Sequence, residues 1–118
     1  MTSEEVRSAE SVRRWFASAG HDRAGAEAQE RVLGMLNDFC THFDKTPDEL
    51  VAFCFLRKRA TGQRFASVKR REAVNAAIET FVSERGWTGK EAVVNANVIR
   101  SFLIHNGVPI QGRIWTGS

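Results

Sequence analysis

The 118 residues contain no tyrosine, two prolines, two cysteines and no apolar run longer than Leu50 to Leu56. Each scarcity excludes something. Without tyrosine, no chemistry through a tyrosine nucleophile can come from this chain's own residues. The longest apolar run falls far short of the roughly 20 residues a membrane helix needs. Two cysteines do not make a disulfide scaffold. The opening Met1-Thr2-Ser3-Glu4-Glu5 has neither the basic start nor the apolar stretch of a secretion signal. The expectation is a reduced, cytoplasmic protein with no membrane partner. Few prolines and few β-branched runs leave the helix as the main building unit, and the length suits one domain around one core.

Charge is the feature that is present in excess, and it is local. Residues 1–56 carry six Lys/Arg against ten Asp/Glu, and residues 72–118 carry four of each. Residues 57–71 carry seven Lys/Arg and no acid. A cationic segment set in a nearly neutral chain points to a polyanionic partner.

The apolar spacing predicts about five helices in an all-α, bundle-like domain over residues 1–110, followed by a polar tail or linker over 111–118 in which Ile114 and Trp115 dock locally. Ser3 to Ala19 reads as a first helix with Val12, Trp15, Phe16 and Ala19 on one stripe and Gly20 as its stop. Ala26 to Phe43 carries Val32, Leu36, Phe39 and Phe43 at helical spacing, widened by Leu33 and Cys40. Thr46-Pro47-Asp48-Glu49 is a strong helix start: the Thr oxygen accepts from an otherwise orphan N–H, proline fits the first helical position, and the Glu closes a capping box. This third helix is expected to run from Pro47 to about Arg59, with a turn at Ala60–Gln63. A fourth is expected from Phe65 or Ala66 to Arg85. The fifth begins after a second capping box at Thr88-Gly89-Lys90-Glu91 and ends near His105, before Asn106-Gly107 and Pro109. Phe39, Phe81 and Phe102 should meet in one core.

Catalytic and metal signatures are missing. Cys40 and His42, two residues apart, would point about 160° apart on a helix, and neither they, Cys54, His21 nor His105 has zinc-ligand spacing. No nucleophile elbow, phosphate loop or metalloprotease pattern occurs. Asp44, Asp48 and Glu49 are accounted for by capping and by complementing a helix dipole. The expectation is a non-enzyme with no metal, cofactor or catalytic residue.

The candidate binding residues therefore lie in and beyond the basic segment. Arg57, Lys58 and Arg59 at a helix C-terminus would complement its dipole, but Lys69, Arg70 and Arg71 in the first turns of the next helix would oppose theirs. Seven cations without an acid repel one another unless an anion is present. Arg57, Lys58, Arg59, Arg64, Lys69 and Arg70 are the expected phosphate contacts. Lys90, Asn97 and Arg100, on the polar side of the last helix, are the expected base-edge readers.

The order of features resembles the SAM-like N-terminal, core-binding domain of phage-type integrases, the tyrosine recombinases, over residues 12–110. The resemblance rests on Arg13-Arg14-Trp15-Phe16, on Leu36 and Phe39 followed by Asp44-Lys45-Thr46-Pro47-Asp48-Glu49-Leu50, and on Val98-Ile99-Arg100-Ser101-Phe102-Leu103-Ile104-His105-Asn106-Gly107-Val108. It implies a module that clamps duplex DNA in recombination, with Arg100 at the family's frequent Arg, other recombinase protomers as partners, and strand chemistry supplied by a separate domain. Ala28, Val32 and Glu91 depart from the family's usual Thr, Tyr and Thr. The alternative is a helical protein-interaction domain that binds another polypeptide or self-associates, its acidic first half docking on a neighbour's basic segment.

Overall fold

The computed structural model describes residues 2–111; the expectations for Ile114 and Trp115 lie outside them. The protein is mostly helical, with one small sheet. In chain order the elements are α1 (Ser3–Ser8), α2 (Glu10–Ala19), a 3₁₀ turn (His21–Arg23), α3 (Ala26–His42), α4 (Pro47–Phe53), β1 (Phe55–Arg57), β2 (Arg64–Ala66), α5 (Val68–Glu84) and α6 (Gly89–Ile104). Among the described residues no helix is long and apolar enough to cross a membrane.

The expected first helix is two helices, because the backbone is extended at Ala9. Ala9 has no side-chain cap to offer. Asp48, in the first turn of α4, supplies it from a distance: its Oδ1 accepts from the Ser11 backbone N–H at 2.9 Å and from the Ser11 hydroxyl. Gly20 stops α2 at φ 82°, a left-handed conformation that glycine adopts without a Cβ penalty.

The second correction concerns the third helix. The capping box at Thr46 and Glu49 is formed on both sides, but α4 ends at Phe53 rather than continuing to Arg59. Beyond it the run is apolar all round, and a helix would expose half of it. Extended backbone instead alternates it, with Phe55 packed on the core and Leu56 outward. β1 and β2 pair antiparallel, Phe55 with Ala66, Leu56 with Phe65 and Arg57 with Arg64. The Gly62 N–H donates to the Lys58 carbonyl at 2.7 Å while the Lys58 N–H donates to the Gln63 carbonyl at 2.9 Å. Two residues thus face one, a bulge whose first residue, Gly62, has φ 71°. The basic connector is a β-hairpin, not a helix–turn–helix.

The remaining boundaries fall near expectation, except that Thr88 makes no side-chain cap. One core runs through all six helices. Trp15 is fully buried and donates to the Ser101 hydroxyl at 3.1 Å. Phe39 and Phe81 meet edge to face at 5.6 Å, and Phe102 meets Trp15 at 5.5 Å. All three phenylalanines belong to that core, with Phe102 joining it through Trp15. Cys40 and Cys54 are buried free thiols; burial pushes them up to about 12 and about 11.

Candidate nucleic-acid interface

The hairpin and the start of α5 gather the cations of residues 57–71. Arg57, Lys58, Arg59 and Arg64 are exposed on the hairpin, and Lys69 is exposed in the first turn of α5. Ion pairs form elsewhere, at Arg7–Glu30, Arg14–Glu10, His42–Glu84, Arg85–Asp38 and Arg100–Glu79. Among the described residues none joins a cation of 57–71 to an acid. Arg57 and Arg64 stand directly opposite each other across the strands, where like charges destabilise a pair. Each has a local partner: Arg57 donates to the Gly62 carbonyl at 3.0 Å, and Arg64 lies 3.7 Å over the Phe55 ring. These contacts orient the guanidinium groups without neutralising them.

Ser67 caps α5 by accepting from the Arg70 N–H at 3.2 Å. The first turn of that helix holds no acid, so Lys69 and Arg70 oppose the dipole. Arg70 is partly fixed, donating to the Phe53 carbonyl at 3.1 Å and stacking 4.8 Å over the Phe53 ring. Arg71 is fixed likewise, donating to the Pro109 carbonyl at 2.6 Å. Five cations stand exposed, and two are half-committed to the fold.

The residues expected on the last helix do not join this cluster. Lys90 opens α6 and is exposed, but it follows α5, whose 17 residues span about 25 Å, while the α6 C-terminal side lies by Arg71. Arg100 is corrected outright: it is 1% exposed and faces α5, not solvent. Its Nε donates to Asn75 at 2.9 Å, its Nη1 to Asn97 at 3.2 Å and its Nη2 to Glu79 at 2.8 Å. Asn97 is half-buried and spends its carbonyl oxygen on Arg100. Glu91 is exposed in the first turn of α6, where an acid suits the dipole.

Two exposed apolar residues beside these cations escaped the sequence reading. Leu56 and Phe65 stand opposite each other on the outer face of the hairpin, 36% and 38% exposed. The readable signal was two short runs holding Phe55, Leu56 and Phe65 about a Gly-containing connection, the pattern of a bulged hairpin. Among the described residues no three His, Cys, Asp or Glu side chains gather as a metal site. No protein-family model matches the chain, and neither a curated protein nor a solved structure matches it.

Proposed function

We propose that the chain is a DNA-binding module, of the kind the resemblance to recombinase core-binding domains implies, which holds duplex DNA and performs no chemistry itself. The observation that carries this reading is the group of five exposed cations on one hairpin and the adjoining helix start, none of them ion-paired to an acid among the described residues. Neighbours in this group, such as Arg57 and Arg64 opposed across the strands, lie within one Debye length, about 8–10 Å at moderate salt, so they repel one another until an anion arrives. A polyphosphate backbone is that anion, and releasing its condensed counterions supplies the affinity. A two-stranded ribbon is one of the shapes the major groove admits. The hairpin thereby takes the groove-facing position expected of the last helix, and Arg57, Lys58, Arg59, Arg64 and Lys69 keep their expected place on phosphates. Arg100 serves instead as an internal tie. A cytoplasmic setting suits both the DNA and the two reduced thiols.

Fluorescence anisotropy of a labelled duplex at low salt tests the proposal. Binding is expected that weakens when Lys58 and Arg59 are both changed to Ala and is unaltered by Lys90→Ala. No binding at low salt counts against it. So does a double variant with wild-type affinity. Salt-sensitive self-association without DNA affinity favours the protein-interaction alternative.

A further inference from the structure

The two faces of the hairpin differ. Alternation puts Phe55, Arg57, Arg64 and Ala66 on one face and Leu56 and Phe65 on the other. The first face is occupied, with Phe55 against the core and covered by Arg64. The second is open. Every other phenylalanine or tryptophan ring among the described residues has a ring or cation neighbour: Trp15, Phe16 and Phe102 share one cluster, Phe39, Phe43, Phe53, Phe81 and Trp87 another, and Phe55 has Arg64. Phe65 has neither, and neither it nor Leu56 packs against the core. Lys58, Arg59 and Lys69 lie within a few residues of this pair and are exposed.

An exposed aromatic flanked by unpaired cations on a sheet face matches the two chemistries of a nucleotide, a π-face and a phosphate. We infer that Phe65, backed by Leu56, is a stacking platform for an unpaired base, so that the hairpin recognises DNA where the duplex is interrupted. A base stacked in a continuous duplex offers only its edges to a protein. An extrahelical or single-stranded base offers its face, and an aromatic ring binds that face with little regard to which base it is. Phosphates flanking such a base would fall to Lys58, Arg59 and Lys69. This inference rests on the nucleic-acid reading above and adds to it a preference among DNA structures.

The probes are two labelled DNAs of equal length and charge density, one fully paired and one carrying a short unpaired stretch with 2-aminopurine in it. The wild type is expected to bind the interrupted duplex about tenfold more tightly than the paired one, a typical gain for one stacked base. The 2-aminopurine emission should be quenched as its base stacks on Phe65. Phe65→Ala should bind the two DNAs equally, with paired-duplex affinity and salt dependence unchanged. Phe65→Trp should restore the preference. Phe65 is surface-exposed, and circular dichroism melts verify that both variants fold. Binding of paired duplex without any preference overturns the stacking role while leaving the DNA-binding proposal intact, as does a preference that survives in Phe65→Ala. Failure to bind either DNA overturns both. Phe65-dependent capture of an acidic, aromatic-containing peptide without DNA binding overturns the inference in favour of a protein partner.

Discussion

At the scale of single residues, the same side-chain type is put to opposite uses. Arg100 is enclosed by Asn75, Asn97 and Glu79, whereas Lys58 and Arg59 touch no acid. A buried guanidinium with its hydrogen bonds satisfied ties α5 to α6. Arg100→Ala should therefore destabilise the fold by about 2–3 kcal/mol, the range of charge-assisted hydrogen bonds together with lost packing. Urea denaturation checks this. Equal stability would mean that the arginine is a surface group after all. His21 gives a pH dependence. It packs against Trp15 at 5.0 Å and Phe16 at 5.4 Å, and burial, then the His105 and Arg31 charges, hold it below its ordinary 6.5. The unfolded chain therefore takes up this proton at higher pH than the folded one. The stabilisation is complete above about 6.5 and is lost as pH falls toward the folded value. Tm should drop between pH 7 and 5, and His21→Gln should flatten that part of the profile; an unchanged profile would contradict it. Asn97 and Arg100 look alike to a sequence reading that places polar residues outward, because only the packing of α5 on α6 reveals that they face a neighbour.

At the scale of elements, helix starts divide into those capped locally and those capped across the fold. Thr46 closes a reciprocal box with Glu49, its hydroxyl accepting at 3.1 Å and the carboxylate accepting from the Thr46 N–H at 2.9 Å. That box is local and was legible as Thr-Pro-Asp-Glu. The similar Thr-Gly-Lys-Glu at residue 88 yields no side-chain cap, since Gly89 takes φ 59° and alters the geometry of the first turn. Thr46→Ala should cost about 1 kcal/mol, and Thr88→Ala close to nothing, as read by thermal melts. The cap on α2 could not be read locally at all, because Asp48 is distant from Ser11 in the chain. Burial opposes the Asp48 charge, but the hydrogen bonds from Ser11 and the Glu10 backbone, with the Arg14 charge, together outweigh it and hold the carboxyl below its ordinary value. Its contribution is present above pH ~4 and is lost as pH falls through the folded value. The hairpin was missed for a related reason. Phe53 to Leu56 is apolar at every position, so periodicity alone cannot separate a buried helix from a strand. The decision came from Gly62 and from cross-strand partners beyond the turn.

At the scale of the molecule, the stripes on α2, α3, α5 and α6 were the most legible part, because one-sided burial leaves its period in the sequence. Trp15, Leu36, Phe39, Ile78, Phe81, Ile99 and Phe102 are all buried in one core. Truncating Phe39, Phe81 or Phe102 to Ala should each cost about 3–5 kcal/mol, a large share of the total for a domain of this size. Wild-type melting of all three would mean the helix faces are wrong. The candidate site was legible as composition but not as shape. The charge count of residues 57–71 survives folding without an ion pair to an acid among the described residues, yet four of the five exposed members stand on a ribbon, and the partners expected on α6 are buried or distant. The most direct test of the DNA-binding claim is the affinity for duplex DNA as a function of salt. If the five exposed cations each neutralise a phosphate, log K should fall against log salt with a slope of about −4.5, and changing Lys58, Arg59 and Arg64 together to Ala should reduce it to about −1.8 while leaving the helical signal intact. A slope near zero, or one unaltered in the triple variant, would contradict the account.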